Sequence, residues 1–226
     1  TASYKKQLGR HHVDALIGYT LQRKTYDRLG VQATGFADDR IHEVTGHGSN
    51  ASDISLYSTR KAAWAMMSFL TRVNYSFDDR YTLTGSFRAD GSSKLAPGHR
   101  WGYFPSFSAA WRISGEKFLR DVSWINDLKL RAGWGQTGNQ AGLAEYGWMQ
   151  QYSTNYYDWT LTENAQAVPT VGGRSNIKNE DLTWETSSQT NVGLDFALLN
   201  NRLNLSLDYY YKYTKDMLMD VPLPSP

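Results

Sequence analysis

The strongest constraint on this sequence is a two-residue alternation of apolar and polar side chains that continues over long stretches. In residues 63–77, one set of alternate positions carries Ala, Met, Phe, Val and Tyr, whereas the other set becomes polar towards its end. Successive side chains of a β-strand point to opposite faces, so this pattern predicts strands with one apolar and one polar face. The same pattern recurs at 81–89, 182–196 and 203–213, and in shorter form at 13–22, 104–113 and 128–135.

The predicted strands are longer than those of most soluble proteins. The 63–77 stretch has 15 residues, whereas a typical globular strand has about 5–6. A tilted strand needs about 9–11 residues to cross the hydrocarbon core of a bilayer. The length therefore favours an all-β, antiparallel transmembrane β-barrel over a soluble sandwich.

The connections between the predicted strands alternate between short and long. Turns at 76–79 and 199–201 are short, and the connection at 114–127 is moderate, with a predicted helical turn at 116–119. Short periplasmic turns and long extracellular loops are typical of outer-membrane barrels. Counting alternating directions, we expect about seven full strands and a short one at 1–7, with long polar connections at 23–61, 90–100 and 136–179.

The composition excludes several other classes of protein. The chain has 24 Lys and Arg against 22 Asp and Glu, a formal net charge of +2, and no basic cluster that would indicate nucleic-acid binding. Its longest nearly apolar run, 62–70, is far shorter than the ~20 residues of a transmembrane helix. The mean hydropathy of −0.57 is compatible with a barrel, because alternating strands average out. Cysteine is absent, so disulfides and thiolate metal sites are excluded in this chain.

A soluble or surface carbohydrate-binding β-sandwich is the alternative fold and function, because sandwich strands also alternate. The two folds differ in what covers the apolar face of the sheet. In a sandwich these side chains line an interior, whereas in a barrel they face lipid or detergent. The positions that distinguish the two are Phe69, Val73, Tyr75, Leu83, Phe87, Leu205 and Leu207.

Two short motifs resemble chemical signatures but lack the required context. Gly133, Gly135 and Gly138 match G-x-G-x-x-G, yet a dinucleotide site needs a helix directly after the glycines, and no helical period follows them. His42 and His47 flank a variant of H-E-x-x-H whose spacing of five breaks the one-face geometry of a zinc-binding helix. We predict no catalytic, cofactor or metal site and interpret the protein as a non-enzyme.

The long connection at 136–179 is rich in aromatic residues. Exposed aromatic side chains stack on sugar rings or form protein interfaces, and a long loop also packs aromatics into a small core of its own. The sequence leaves these alternatives open. The aromatic residues are Tyr146, Trp148, Tyr152, Tyr156, Tyr157 and Trp159.

Several stretches together resemble the barrel of SusC/RagA-type TonB-dependent outer-membrane transporters, which are typical of Bacteroidetes. The resemblance covers most of 72–213 in the order of the family. One departure is Leu95 with Ala96, where the family usually has an aromatic residue, and this affects only local loop contacts. The stretches are RVNYSFDDRYTLTGSFRADGSSK (72–94), RWGYFPSFSAAWRISGEKF (100–118), LKLRAGWGQTGN (128–139), NEDLTWET (179–186), QTNVGLDF (189–196) and DYYYK (208–212).

The resemblance implies a barrel of about 22 strands with a plug domain inside it. Such a barrel needs ~220 residues for its strands alone, so residues 1–226 are expected to be a partial barrel domain that lacks the plug domain, the signal peptide and the C-terminal strands. A complete eight-stranded barrel is the alternative. The resemblance also implies residence in the outer membrane.

The function implied by the resemblance is TonB-dependent import of oligomeric nutrients, glycans or peptides. Its implied partners are a SusD-like lid lipoprotein, outer-membrane lipid, and TonB–ExbB–ExbD acting through the absent plug and TonB box.

We predict ligand or partner contacts at the rim with the long connections. The predicted residues are Arg88, Asp90, Trp148, Tyr157 and Trp159. Polar rim groups would bond sugar hydroxyls or peptide groups, and the aromatics would stack on the ligand. The alternatives are that Arg88 and Asp90 pair with neighbouring strands, and that the aromatics meet the lid protein.

Overall fold

The structure is a computed structural model that describes residues 1–33, 54–119, 122–157 and 168–219, without the side chains of 28, 31–33, 54–61, 153–157 and 168–176. Its main element is a single 8-stranded antiparallel sheet, and a 2-stranded hairpin accompanies it. The sheet strands are β1 (Ala2–Leu8), β2 (His11–Ala33), β3 (Ile54–Phe77), β4 (Tyr81–Ser92), β5 (Trp101–Arg112), β6 (Ile125–Asn139), β9 (Glu185–Leu198) and β10 (Leu203–Lys215), and the hairpin is β7 (Gln151–Tyr157) with β8 (Val168–Asn176).

The sheet is an up-and-down meander in which each strand pairs with the strands before and after it in the chain, and the β7–β8 hairpin is inserted between β6 and β9. This confirms the predicted all-β antiparallel fold. Within the described ranges, no helix is long and apolar enough to cross a membrane.

The two faces of the sheet differ in chemistry, as the alternation predicts. The outer face, marked by Val73 and Leu83, is apolar and exposed, and among the described residues no second sheet packs against it. The inner face, marked by Arg72 and Arg88, lines a concavity of about 1180 Å³. An uncovered apolar face contradicts the sandwich alternative. Exposed outer-face side chains include Phe69, Val73, Leu83, Phe87, Leu205 and Leu207.

The connections divide the sheet into two ends. At the short-turn end, β3 and β4 are joined through Asp78 and Asp79, which both have the positive φ that short polar side chains tolerate. The β5–β6 connection at this end contains a 3₁₀ turn at Ile113–Gly115, a few residues before the predicted helical turn. The opposite end, the long-loop end, holds the β2–β3, β4–β5 and β6–β9 connections.

Three predicted boundaries were wrong at the long-loop end. The connection predicted at 23–61 is strand at both of its ends, because β2 continues to Ala33 and β3 begins at Ile54. The connection at 136–179 contains β7 and β8. The predicted strand 182–196 begins only at Glu185. Beyond the bilayer both faces of a strand meet water, so the backbone ladder continues there without the alternation that reveals it.

Candidate functional site

Arg88 and Asp90 lie two residues apart on β4 and both face the inner side of the sheet. The Arg88 Nε atom donates to both carboxylate oxygens of Asp90 at 2.7 Å, and its Nη2 atom donates to Ser68 Oγ on β3 at 3.3 Å. Asp90 is buried, whereas the Arg88 side chain is 47% exposed. The buried carboxylate therefore holds a guanidinium whose remaining N–H groups face the concavity.

A second polar cluster crosses the inner face nearer to the last strand. Arg131 Nε donates to Asp195 Oδ2 at 2.7 Å, and Arg131 Nη2 lies 3.1 Å from Asp208 Oδ1. These residues stand on β6, β9 and β10, so one guanidinium links three strands. The inner face therefore carries one ion pair within β4 and one ionic cluster that links β6, β9 and β10.

Three large apolar side chains are buried together at the long-loop end of the inner face. Leu95 is 0% exposed, Trp184 4% and Phe104 6%. The Phe104 and Trp184 rings meet edge to face, with centroids 5.6 Å apart. Burial of side chains of this size contributes about 1.5–3 kcal/mol each, so this cluster is a stable core in an otherwise open sheet. Partly buried Met66, Leu143 and Leu182 complete it.

The cluster joins two connections into one unit, which we name the lumen lip: residues 93–100 between β4 and β5, and residues 140–147 after β6. The Lys94 ammonium donates to the Leu143 carbonyl at 2.8 Å and lies 5.5 Å from the centroid of the Trp64 ring. Ser92 donates to the side-chain oxygen of Gln140. Both connections therefore fold over the inner face and are bonded to each other there.

Glycines make room for this packing and explain the G-x-G-x-x-G motif. A Cβ atom at Gly138 would overlap the Phe104 ring, and one at Gly102 would meet the Phe104 and Trp184 rings. A Cβ at Gly133 would lie 2.8 Å from Asn191 Oδ1. All three motif glycines lie within strand β6, towards its end, and the structure assigns them to close packing against neighbouring side chains.

The predicted site residues do not form one cluster. Arg88 and Asp90 contact each other, whereas Trp148 lies beside the lumen lip, with the Arg100 guanidinium 5.9 Å from its ring centroid. Tyr157 ends strand β7, but its side chain is outside the described residues, and Trp159 is outside them entirely.

The residues that build the lumen lip were not predicted from the sequence. Trp184 was included in the predicted strand 182–196, but it precedes β9 and packs inward, where its Nε1 atom donates to the Arg100 carbonyl at 3.0 Å. The departure at Leu95 and Ala96 was expected to affect only local loop contacts, but Leu95 is fully buried and packs with Phe104 and Trp184. The one available signal was an apolar Leu95–Ala96 pair inside a polar loop.

Aromatic pairs on the outer face form two bands, as expected for side chains at the two membrane interfaces. At the short-turn end, the Tyr81 ring stacks with Trp111 at 6.4 Å and with Phe77 at the same distance. Nearer the long-loop end, the pairs are Tyr19–Phe69 at 5.1 Å, Phe69–Trp101 at 6.1 Å, Phe87–Tyr103 at 6.1 Å and Phe107–Trp134 at 6.3 Å.

The short-turn end is held by a chain of charged groups. Arg10 pairs with Asp78, Arg80 Nη2 lies 2.6 Å from the same carboxylate, and Arg80 Nη1 donates to Glu116 at 2.9 Å. The hydrogen bond from Arg10 lowers the pKa of Asp78 from its ordinary value of 3.8 to about 2. A hydrogen bond from the Tyr81 hydroxyl at 2.6 Å lowers the pKa of Glu116.

In the part of the chain that the structure describes, no group of three or more His, Asp or Glu side chains is arranged to hold a metal ion. The imidazoles of His42 and His47 lie outside the described residues.

Comparison with known proteins finds a family model and several relatives that are all described as TonB-dependent receptors. The family model of the TonB dependent receptor-like β-barrel matches residues 3–226. The TonB-dependent receptor SusC of Bacteroides thetaiotaomicron is 34% identical over 223 residues, which cover 98% of this chain and 21% of SusC. The TonB-dependent receptor P39 of Formosa agariphila is 33% identical over 215 residues, covering 95% of this chain and 20% of P39. The chain thus spans about a fifth of the length of these curated relatives.

Solved structures agree with these matches. The RagAB peptide transporter superimposes with a TM-score of 0.81 at 33% identity, over 98% of this chain and 24% of that chain. The RagAB peptide importer in its open-open state gives a TM-score of 0.79 at 33% identity, over 98% of this chain and 23% of that chain. The comparisons confirm the resemblance inferred from the sequence, the transmembrane-barrel fold class and the outer-membrane location.

Proposed function

This chain belongs to the family of TonB dependent receptor-like β-barrels, and we propose that it forms one wall of an outer-membrane importer of oligomeric nutrients, glycans or peptides. The family consists of transporters rather than enzymes, and we extend this to propose that the chain itself catalyses no reaction. In outer-membrane barrels short turns face the periplasm, which places the short-turn end there and the long-loop end outside the cell.

The observation that carries the proposal is the contrast between the two faces of one sheet. The outer face exposes apolar side chains and two aromatic bands, as a lipid-facing wall requires. The inner face is polar and concave, and its concavity of about 1180 Å³ exceeds the ~300–1,000 Å³ of small-molecule pockets. A lumen of this size, in which charged residues such as Arg72 and Arg88 stand beside aromatic ones such as Trp64, suits an oligomer that offers both hydrogen-bonding groups and apolar faces.

We propose further that the eight strands are an arc of a larger barrel. β1 and β10 are the two edges of the sheet and do not pair with each other. Unpaired edges are not tolerated in hydrocarbon, so other strands of the full protein would cover both. The plug domain would also lie outside this segment.

The transport mechanism then follows the relatives. The ligand would be captured between the barrel and a SusD-like lid lipoprotein, and TonB–ExbB–ExbD would act on the plug to open the path. The solved RagAB neighbours are described as peptide transporters, which supports peptides as one of the two substrate classes. This segment would contribute the lipid-facing wall, the polar inner wall and part of the outer rim.

Within this segment we propose that Arg88 contacts the ligand, because its half-exposed guanidinium is held in place by Asp90. Asp90 itself would position Arg88, since its carboxylate is buried. Trp148, Tyr157 and Trp159 would stack on the ligand or meet the lid.

The experiment replaces Trp148, Tyr157 and Trp159 together with alanine in the full transporter. The probes are a pool of neutral oligosaccharides and a pool of tryptic peptides, with uptake measured by mass spectrometry and lid retention by co-purification. Loss of uptake with the lid retained supports a ligand role, whereas loss of the lid assigns these residues to the partner interface. The control is Trp124→Ala, because Trp124 is an exposed aromatic at the short-turn end. If neither quantity changes, these residues are not the site.

A further inference from the structure

We infer that the lumen lip is a fixed part of the ligand path, closed on itself throughout transport, and that Lys94 is the positioning residue that holds it. The transport consequence rests on the proposed function, whereas the rigidity of the lip does not. It follows that any gate that admits ligand along this wall is formed by other elements.

The first support is the apolar core beneath the lip. Leu95 comes from the β4–β5 loop, Phe104 from β5 and Trp184 from the residues before β9. Moving the loop away from the sheet would expose all three side chains to water at once. Loops that open readily are those with few buried apolar contacts, and this loop is the opposite case.

The second support is the buried ammonium of Lys94, a residue that is only 9% exposed. Its charge is satisfied by the Leu143 carbonyl at 2.8 Å and by the face of the Trp64 ring. Trp64 belongs to β3 and Leu143 follows β6, so one side chain joins the β4–β5 loop to both. Separation of the lip would break both of these contacts at once.

The third support is that the β4–β5 loop is bonded to the sheet at its beginning and its end. Ser93 N donates to the Ala65 carbonyl at 3.0 Å, and Ala65 N donates to Ser93 Oγ at 2.9 Å. At the other end, the Arg100 carbonyl accepts from Ser92 N and from Trp184 Nε1, both at 3.0 Å. A hinge needs backbone that is free to turn, and neither end of this loop provides it.

The position of the lip gives it a functional consequence. Arg88, Asp90 and Ser92 follow one another along the inner face of β4 towards the long-loop end, and Ser92 is bonded to Gln140 in the lip. The lip therefore lies directly beyond the Arg88–Asp90 pair, on the side of the long-loop end. It sets the opening through which a ligand would reach Arg88, and the Lys94 ammonium at this opening is bonded to Leu143 and packed on Trp64.

The first experiment measures amide hydrogen exchange in the full transporter in detergent. We compare Lys94→Met with the exposed control Lys117→Met and follow the hydrogen-bonded amides of Leu143 and Gly147. We expect Lys94→Met to speed their exchange by about tenfold or more, Lys117→Met to have no effect, and Lys94→Arg to restore most of the protection. Unchanged exchange in a folded Lys94→Met variant overturns the role of Lys94.

The second experiment locks the lip. This chain has no cysteine, so Ser92→Cys with Gln140→Cys introduces a unique pair within it. Because Ser92 is buried and its side chain contacts that of Gln140, the pair is joined directly by oxidation to a disulfide that reductant reverses. Uptake of the oligosaccharide and peptide pools should stay within about twofold of the unlinked protein, before and after reductant. Loss of uptake on linking that reductant reverses would show that the lip is a gate and overturn the inference. Ser92→Cys alone, treated with the same oxidant, is the control.

The two experiments separate the inference from the proposed function. If the unmodified transporter takes up neither probe pool, the proposed substrate classes are wrong, and the exchange measurement alone then decides whether the lip is rigid. If uptake occurs but the Lys94→Met lip exchanges like the wild type, the proposed function stands and Lys94 does not position the lip.

Discussion

At its long-loop end the sheet folds two connections inward over Leu95, Phe104 and Trp184, whereas at its short-turn end the turns are joined by ion pairs around Asp78 and Glu116. The first end is stabilised by removing apolar surface from water, while the desolvation of the buried Lys94 ammonium is compensated by the Leu143 carbonyl and the Trp64 ring. The second is stabilised by charges that remain accessible to water and salt. Both arrangements link strands that are distant in sequence. Burial of apolar side chains contributes more to the free energy of unfolding than ion pairs that remain exposed to water.

The difference shows that order at the two ends has different physical origins. Short turns need few additional stabilising contacts, because closing a short hairpin loop has a low entropic cost. Longer connections have a greater ordering cost, and burial of a core offsets it. We therefore expect substitutions at the long-loop end to have large effects and those at the short-turn end to have small effects that depend on pH.

The largest effect is expected for Leu95→Ala. Loss of a fully buried leucine costs about 2–5 kcal/mol through lost burial and the cavity left behind. The measurement is the urea unfolding free energy of the full protein in detergent. Arg10→Ala, which removes an exposed partner of Asp78, should change that free energy much less. Equal losses for the two variants would remove the distinction between the ends.

Between the two ends, Val73→Arg tests the face assignment. Val73 is exposed on the outer face, and charge there near the bilayer midplane costs ~2–4 kcal/mol. The neighbouring Asn74→Arg places the same charge on the inner face, where it reaches water. Assembly is measured by heat-modified gel mobility of the intact barrel, and similar assembly of both variants would reject the assignment.

A smaller effect is expected for Gly138→Ala, which overpacks the core of the lumen lip. The new Cβ would overlap the Phe104 ring, and overpacking costs about 1–3 kcal/mol. Gly142→Ala is the matched control within the lip, because nothing lies within 4 Å of a Cβ at that position. The thermal unfolding midpoint should fall for Gly138→Ala alone; a comparable fall for Gly142→Ala would contradict the packing described here.

The smallest effect is expected for Asp78→Asn, and it should depend on pH. Because the pKa of Asp78 is lowered to about 2 in the folded protein, its ionised form contributes stability above its ordinary value of 3.8. That contribution should be constant from about pH 8 to about pH 5 and disappear as the pH falls through about 2. The measurement is the difference in unfolding midpoint between the wild type and Asp78→Asn at each pH. A difference that changes between about pH 5 and 8 would assign the effect to another group.

Alternation by itself was sufficient to identify the central part of most strands of the 8-stranded sheet, their two faces and the short turns. The registers of β3 with β4 and of β9 with β10 place the predicted apolar positions together on one face, as in the Val73–Gly85 and Phe196–Leu205 pairs. A slip of one residue would move every side chain to the wrong face, so the pattern specifies the register strongly. The resemblance to the family was readable for the same reason, since its motifs lie in these strands.

Only the tertiary structure decided what the long connections do. Leu95, Phe104 and Trp184 come from separate parts of the sequence, and no local pattern shows that they meet. The extensions of β2 and β3 were also invisible, because a strand with water on both faces has no alternation. The direction in which a connection folds depends on the distant side chains against which it can be buried. In the β4–β5 loop, Lys94 packs on Trp64 of β3, and Leu95 packs with Trp184, which precedes β9. Such long-range packing is decided by the whole fold and not by neighbours in the sequence.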